Sequence, residues 1–132
     1  MMRTKREEYR VAGLPTPLSH YTDAVRFGDL LFVSGLTPHD ADGHLVDGDA
    51  AMQTRRILES LRLVLAAAGA SIADVLKVTI YLTDISDRTL INPVRQEFFG
   101  DSRPASTLVE VNALALPGMR VEIEAVVGLS SA

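Results

Sequence analysis

The chain contains no cysteine, which excludes disulfides, thiolate metal sites and cysteine nucleophiles and leaves oxygen and imidazole groups to carry any chemistry. Long hydrophobic runs are also missing. The apolar stretches are short and broken by charge, so no membrane span is expected. Residues 1–8, MMRTKREE, lead into no apolar region of the kind an export signal needs, and a cytoplasmic location is the expectation. Basic residues are scattered beyond the first ten positions and the net charge is −4. With no stripe to follow a polyanion, nucleic acid is not an expected partner. Arg3, Lys5, Arg6 and Arg10 do cluster, but Glu7 and Glu8 interrupt them, and residues 1–15 read as a solvated terminal arm. No glycine-rich phosphate loop is present, since Ser34-Gly35 ends a strand and does not open a helix.

What is there suits one folded unit. The 132 residues are 47% hydrophobic and 23% charged, the balance of an ordinary globular chain long enough for a core of its own, so residues 1–132 are read as a single domain. Val25-Arg26-Phe27 and Leu30-Leu31-Phe32-Val33 flank Gly28-Asp29, the signature of a β-hairpin whose first turn residue needs positive φ. From Ala51 to Ala68 the apolar residues Ile57, Leu61, Val64, Leu65 and Ala68 recur at helical spacing, and Gly69 follows as a stop. Val78, Ile80 and Leu82 then alternate with polar residues as in a strand covered on one face.

A second helix is expected to carry Leu90, Val94 and Phe98 on one stripe, with Pro93 near its start and Asn92 as a candidate cap. Ala105 to Val111 and Arg120 to Val127 alternate as two further strands. This order predicts an α+β domain, a mixed β-sheet with two helices packed on one face. The other face would keep Phe27 and Leu108, with Tyr81 or Val126 as further candidates, and an uncovered face of that kind predicts self-association.

Three segments together resemble the Rid (YjgF-type) family. They are Pro17-Leu18-Ser19-His20-Tyr21, Leu31-Phe32-Val33-Ser34-Gly35, and Arg103-Pro104-Ala105-Ser106-Thr107-Leu108-Val109-Glu110-Val111 leading to Val121-Glu122-Ile123-Glu124-Ala125. The resemblance spans about Pro17 to Val127. It implies a chorismate-mutase-like fold, a homotrimer, and pockets for a small molecule at the subunit interfaces, with no cofactor. In the imine-hydrolysing branch an arginine of the Pro-Ala-Arg segment pairs with the substrate carboxylate, and a last-strand glutamate positions or activates water. Here Ser106 stands in the arginine's place, and Leu108 stands where many members have cysteine.

Carried over residue by residue, the resemblance assigns Glu122 to catalysis and Tyr21, Gly35, Asn92, Ser106 and Leu108 to the substrate pocket. Each has a plainer reading. Glu122 could pair on a strand surface with Arg120, Tyr21 could be simple packing, and Asn92 could be a helix cap. Ser106 lacks a neighbouring base and is discounted as a nucleophile. Its hydroxyl cannot replace a bidentate guanidinium; Arg103 and Arg120 are the candidates to compensate. His39, Asp40, Asp42 and His44 match no strong metal signature, and no metal is expected. Two functions follow as expectations: a hydrolytic deaminase of an enamine or imine with an altered substrate, or a non-catalytic trimer that binds a metabolite or a protein in the same clefts.

Overall fold

A computed structural model describes residues 5–130. Six strands form one sheet in the order β1-β2-β3-β6-β4-β5: β1 (Arg6–Tyr9), β2 (Ala24–Phe27), β3 (Leu30–Leu36), β4 (Val75–Leu82), β5 (Ala105–Glu110) and β6 (Val121–Gly128). Only β4 and β5 run parallel. Between them the chain crosses over through helix α2 (Arg88–Phe99), while α1 (Ala50–Ala67) carries it from β3 to β4. The β2–β3 hairpin turns at Gly28, whose φ of 63° is the left-handed geometry read from the sequence.

The core follows the alternation. Val78, Ile80 and Leu82 of β4 register with Ala125, Ile123 and Val121 of β6, and this face joins Leu31 and Val33 of β3 and Ile57, Leu61, Val64 and Leu65 of α1 in one buried cluster. Asp49 caps α1, its Oδ1 accepting from the Met52 N–H at 2.9 Å. Buried Gln53 ties the same helix to the loop before β6: Nε2 donates to the Gly118 carbonyl at 3.0 Å, and Oε1 accepts from the Arg120 N–H at 2.8 Å.

Four expectations are corrected. Residues 6–15 are no solvated arm: β1 pairs with β2 from Arg6↔Phe27 to Tyr9↔Ala24, and Val11 and Leu14 are buried. The buried Asp23 carboxylate holds this segment, accepting from the Val11 N–H at 2.8 Å and from the Arg10 guanidinium. Residues 1–4 lie outside the described region. Asn92 is not a cap, because α2 begins four residues earlier and contains Pro93 within its length. With that start the buried positions are Ile91, Val94 and Phe99, and Leu90 is left exposed.

The fourth concerns Leu108, expected on the open face. It registers with the fully buried Ile80, and directly opposed residues point to the same side of a sheet, so Leu108 lies on the helix side. The open face instead carries Phe27, Phe32 and Leu76, each about half exposed (54%, 49% and 50%). Tyr81, Glu122 and Glu124 stand on it as well.

Candidate functional site

Of the six residues singled out from the sequence, five fall into two groups on opposite sides of the sheet, and Tyr21 stands in the loop before β2. Glu122 registers with Tyr81 on the open face, whereas Ser106 registers with the buried Val78 and Leu108 with Ile80 on the helix face. Within one chain the sheet stands between Glu122 and Ser106.

The first group is Glu122 and Gly35; Tyr21 meets Gly35 in a hollow that Ser60 of α1 lines and Glu122 does not. β3 is irregular between Val33 and Leu36 where it pairs with β6, and Gly35 sits in that irregularity. The Glu122 side chain fills the space a side chain at residue 35 would need: a β-carbon there would come within 2.3 Å of Glu122 Oε2. Gly35 thus leaves the carboxylate its place, and its backbone is not among those with positive φ. Gly35 and exposed Tyr21 share a hollow with Ser34, Thr37 and buried Ser60, whose hydroxyl has no partner among the described residues. Burial, reinforced by the negative charge of Glu124, pushes the Glu122 carboxyl above its usual range, and no hydrogen bond from the described residues offsets this. Glu124 is itself engaged, accepting from the Tyr81 hydroxyl at 2.7 Å.

The second group is Asn92, Ser106 and Leu108. Asn92 and Leu108 line a concavity of about 470 Å³ together with Arg88, Pro93 and Arg95. Asn92 and Arg95 also line an adjoining one of about 480 Å³ that runs to Arg103 and Pro104. Both have the volume of small-molecule sites, yet both are open to one side. Ser106 is not alone here: Arg95 Nη2 donates to its Oγ at 3.0 Å. Of the two arginines considered as replacements at position 106, Arg103 borders the neighbouring concavity, and Arg120 lies near Asp84, whose pKa is lowered chiefly by hydrogen bonds from Ser86 and last by the Arg120 charge. The arginine that touches Ser106 is Arg95, which the sequence did not single out.

The histidines stand apart from both groups. His39 is buried, its Nδ1 2.9 Å from Thr37 Oγ1, and burial lowers its pKa. Asp40, Asp42 and His44 bring their ligand atoms within 4.8 Å of one another. Asp40 Oδ1, however, already accepts from the Asp42 and His44 backbone N–H groups at 3.0 and 2.9 Å, which explains the cluster as a closed loop turn.

A six-stranded mixed sheet with two helices on one face, a partly apolar open face and two concavities beside β5 defines a class of small α+β proteins. The sequence pattern described as Endoribonuclease L-PSP matches residues 12–128. The chain is 40% identical over 115 residues to the 3-aminoacrylate deaminase RutC of Acinetobacter baylyi, covering 86% of this chain and 90% of that protein. It superposes with a TM-score of 0.90 on YyfA from Yersinia pestis, a protein of the conserved Rid family, at 32% identity over 95% of this chain and 100% of that one. On E. coli TdcF with bound serine the TM-score is 0.84, at 29% identity over 93% and 100% of the two chains. The chain belongs to the Rid family, and its fold is that family's chorismate-mutase-like α+β fold. Among the described residues no helix is long and apolar enough to cross a membrane.

Proposed function

We propose that the chain is a hydrolytic deaminase of a reactive enamine or imine, working at clefts completed between neighbouring copies in a homotrimer. The observation that carries this reading is the Glu122 carboxylate, half-buried against Gly35 with its pKa raised. A carboxylate held that way is a stronger base than an exposed one and can take a proton from water and return it within the same cycle. In the reaction the imine carbon gains the oxygen of water as Glu122 accepts its proton. Returning that proton to the nitrogen gives a carbinolamine; its hydroxyl then loses its proton through Glu122 to the nitrogen as the C–N bond breaks and C=O forms, and a carbonyl compound and ammonia leave. An enamine first takes a proton on carbon to become the imine.

Assembly is supported by two further observations. The open face exposes phenylalanine and leucine side chains that in a monomer would meet water. And Glu122 and Ser106, on opposite faces of one sheet, can meet across one substrate only if they come from different copies. The relative named as a 3-aminoacrylate deaminase agrees with the chemistry.

Imines generated in place by an amino-acid oxidase test the reading. Ammonia release should be accelerated by the wild-type protein and not by Glu122→Gln; equal release with and without wild-type protein over a broad panel would refute it. The second reading, a trimer that binds a small metabolite without turning it over, is favoured by Ser106 in place of the family's arginine. A ligand that raises the melting temperature without being consumed would establish that alternative.

A further inference from the structure

Arg95 projects from the middle of α2 towards edge strand β5, where its Nη2 meets Ser106 Oγ at 3.0 Å. No carboxylate among the described residues lies within ion-pair distance of it, nor of Arg88 and Arg103, which share the walls of the concavities beside β5; of the three, Arg95 is the one held against Ser106. Its guanidinium is partly desolvated, which pulls its pKa down, and an unpaired desolvated cation favours an incoming anion. Both concavities beside β5 include it in their walls.

We infer that Arg95, delivered from α2, is the anion-binding residue of the cleft, and that the ligand it selects is a small carboxylate. The inference rests on the deaminase reading only for what happens to that ligand afterwards. By accepting from Arg95, the Ser106 hydroxyl is left with its own proton to donate, so charge and hydroxyl converge on one anion. Asn92, three residues before Arg95 on α2, offers an amide to a polar group on the ligand. Leu108 and Pro93 give the ligand body an apolar wall. The charge that position 106 lacks is thus supplied from a different element of the fold. A serine at 106 is what allows it, because a long side chain there would occupy the place where the guanidinium rests.

The test separates binding from catalysis. Calorimetric titration with 2-oxobutanoate and with its amide, which keeps the shape and loses the charge, is run on wild type, Arg95→Ala and Arg95→Lys, with circular dichroism to verify the fold of each. The carboxylate should bind wild type better than the amide does. Arg95→Ala should weaken the carboxylate roughly 10–100-fold, the range for a lost charge-assisted hydrogen bond, and leave the amide unchanged, with Arg95→Lys between. Equal carboxylate affinity in wild type and Arg95→Ala, or no preference of wild type for carboxylate over amide, would overturn the inference. Carboxylate binding that depends on Arg95 without any imine hydrolysis would uphold it and refute the deaminase reading alone.

Discussion

The carboxylate of Glu122 and the bare α-carbon of Gly35 occupy what would otherwise be one side chain's space, with Oε2 2.3 Å from the position of the missing β-carbon. The overlap is with the end of a flexible side chain, so Gly35→Ala should displace Glu122 more than it disturbs the sheet. A stability cost of about 1–2 kcal/mol is expected from urea unfolding, alongside a fall in kcat on the order of 100-fold from misplacing the base. A variant with unchanged kcat would remove Glu122 from the reacting centre.

Titration of Glu122 should be visible in stability. Burial and Glu124 raise its pKa, so the folded protein holds this proton more tightly than the unfolded chain does. That preference contributes stability below the ordinary carboxylate pKa, and the contribution is lost as pH rises through the raised value. Glu122→Gln cannot titrate. Its melting temperature relative to wild type should therefore climb from acid to neutral pH and then level off. A difference that is flat or falls with pH would contradict the assigned environment.

Buried Gln53 satisfies the Arg120 N–H and the Gly118 carbonyl at once. Replacing it with leucine, close in volume but unable to hydrogen-bond, should cost about 2–3 kcal/mol, the penalty for stranding buried backbone groups. Urea midpoints with unchanged m-values would measure it. A loss below about 0.5 kcal/mol would mean that water reaches these groups.

Asp23 fastens the N-terminal strand. Asp23→Ala leaves the Val11 N–H and Arg10 without their shared acceptor and should destabilise by about 2 kcal/mol or more. Amide hydrogen exchange should accelerate first in β1, at Arg6–Tyr9; uniform acceleration over the whole sheet would show that Asp23 supports the core instead.

Much of the architecture could be read directly because its cause is local periodicity. Alternation at Val78, Ile80 and Leu82 and helical spacing at Ile57, Leu61 and Val64 each follow from which side of an element is buried. β1 escaped notice because an exposed edge strand of sequence Arg-Glu-Glu-Tyr has no apolar side to display. The second helix was misphased since proline and asparagine suggest a helix start, whereas the Asp84–Asp87 turn begins it earlier. At the site, parity within β5 placed Ser106 and Leu108 together, but parity cannot compare β5 with β6. Their opposite faces depend on how both register with β4. Arg95 went unseen for a similar reason, since its contact with Ser106 joins a helix to a neighbouring strand and no spacing along the chain encodes it.

The central claim, that one working cleft takes Glu122 from one copy and the Ser106–Arg95 side from another, is tested most directly by subunit mixing. Glu122→Gln and Arg95→Ala are each purified, shown to be poorly active alone, then dissociated, mixed in equal amounts and reassembled. Random cyclic assembly pairs an intact Glu122 half with an intact Arg95 half at about one cleft in four, so about a quarter of wild-type activity should return. If both halves belonged to the same copy, every cleft in the mixture would carry one defect, and activity no greater than the mean of the two variants would contradict the account.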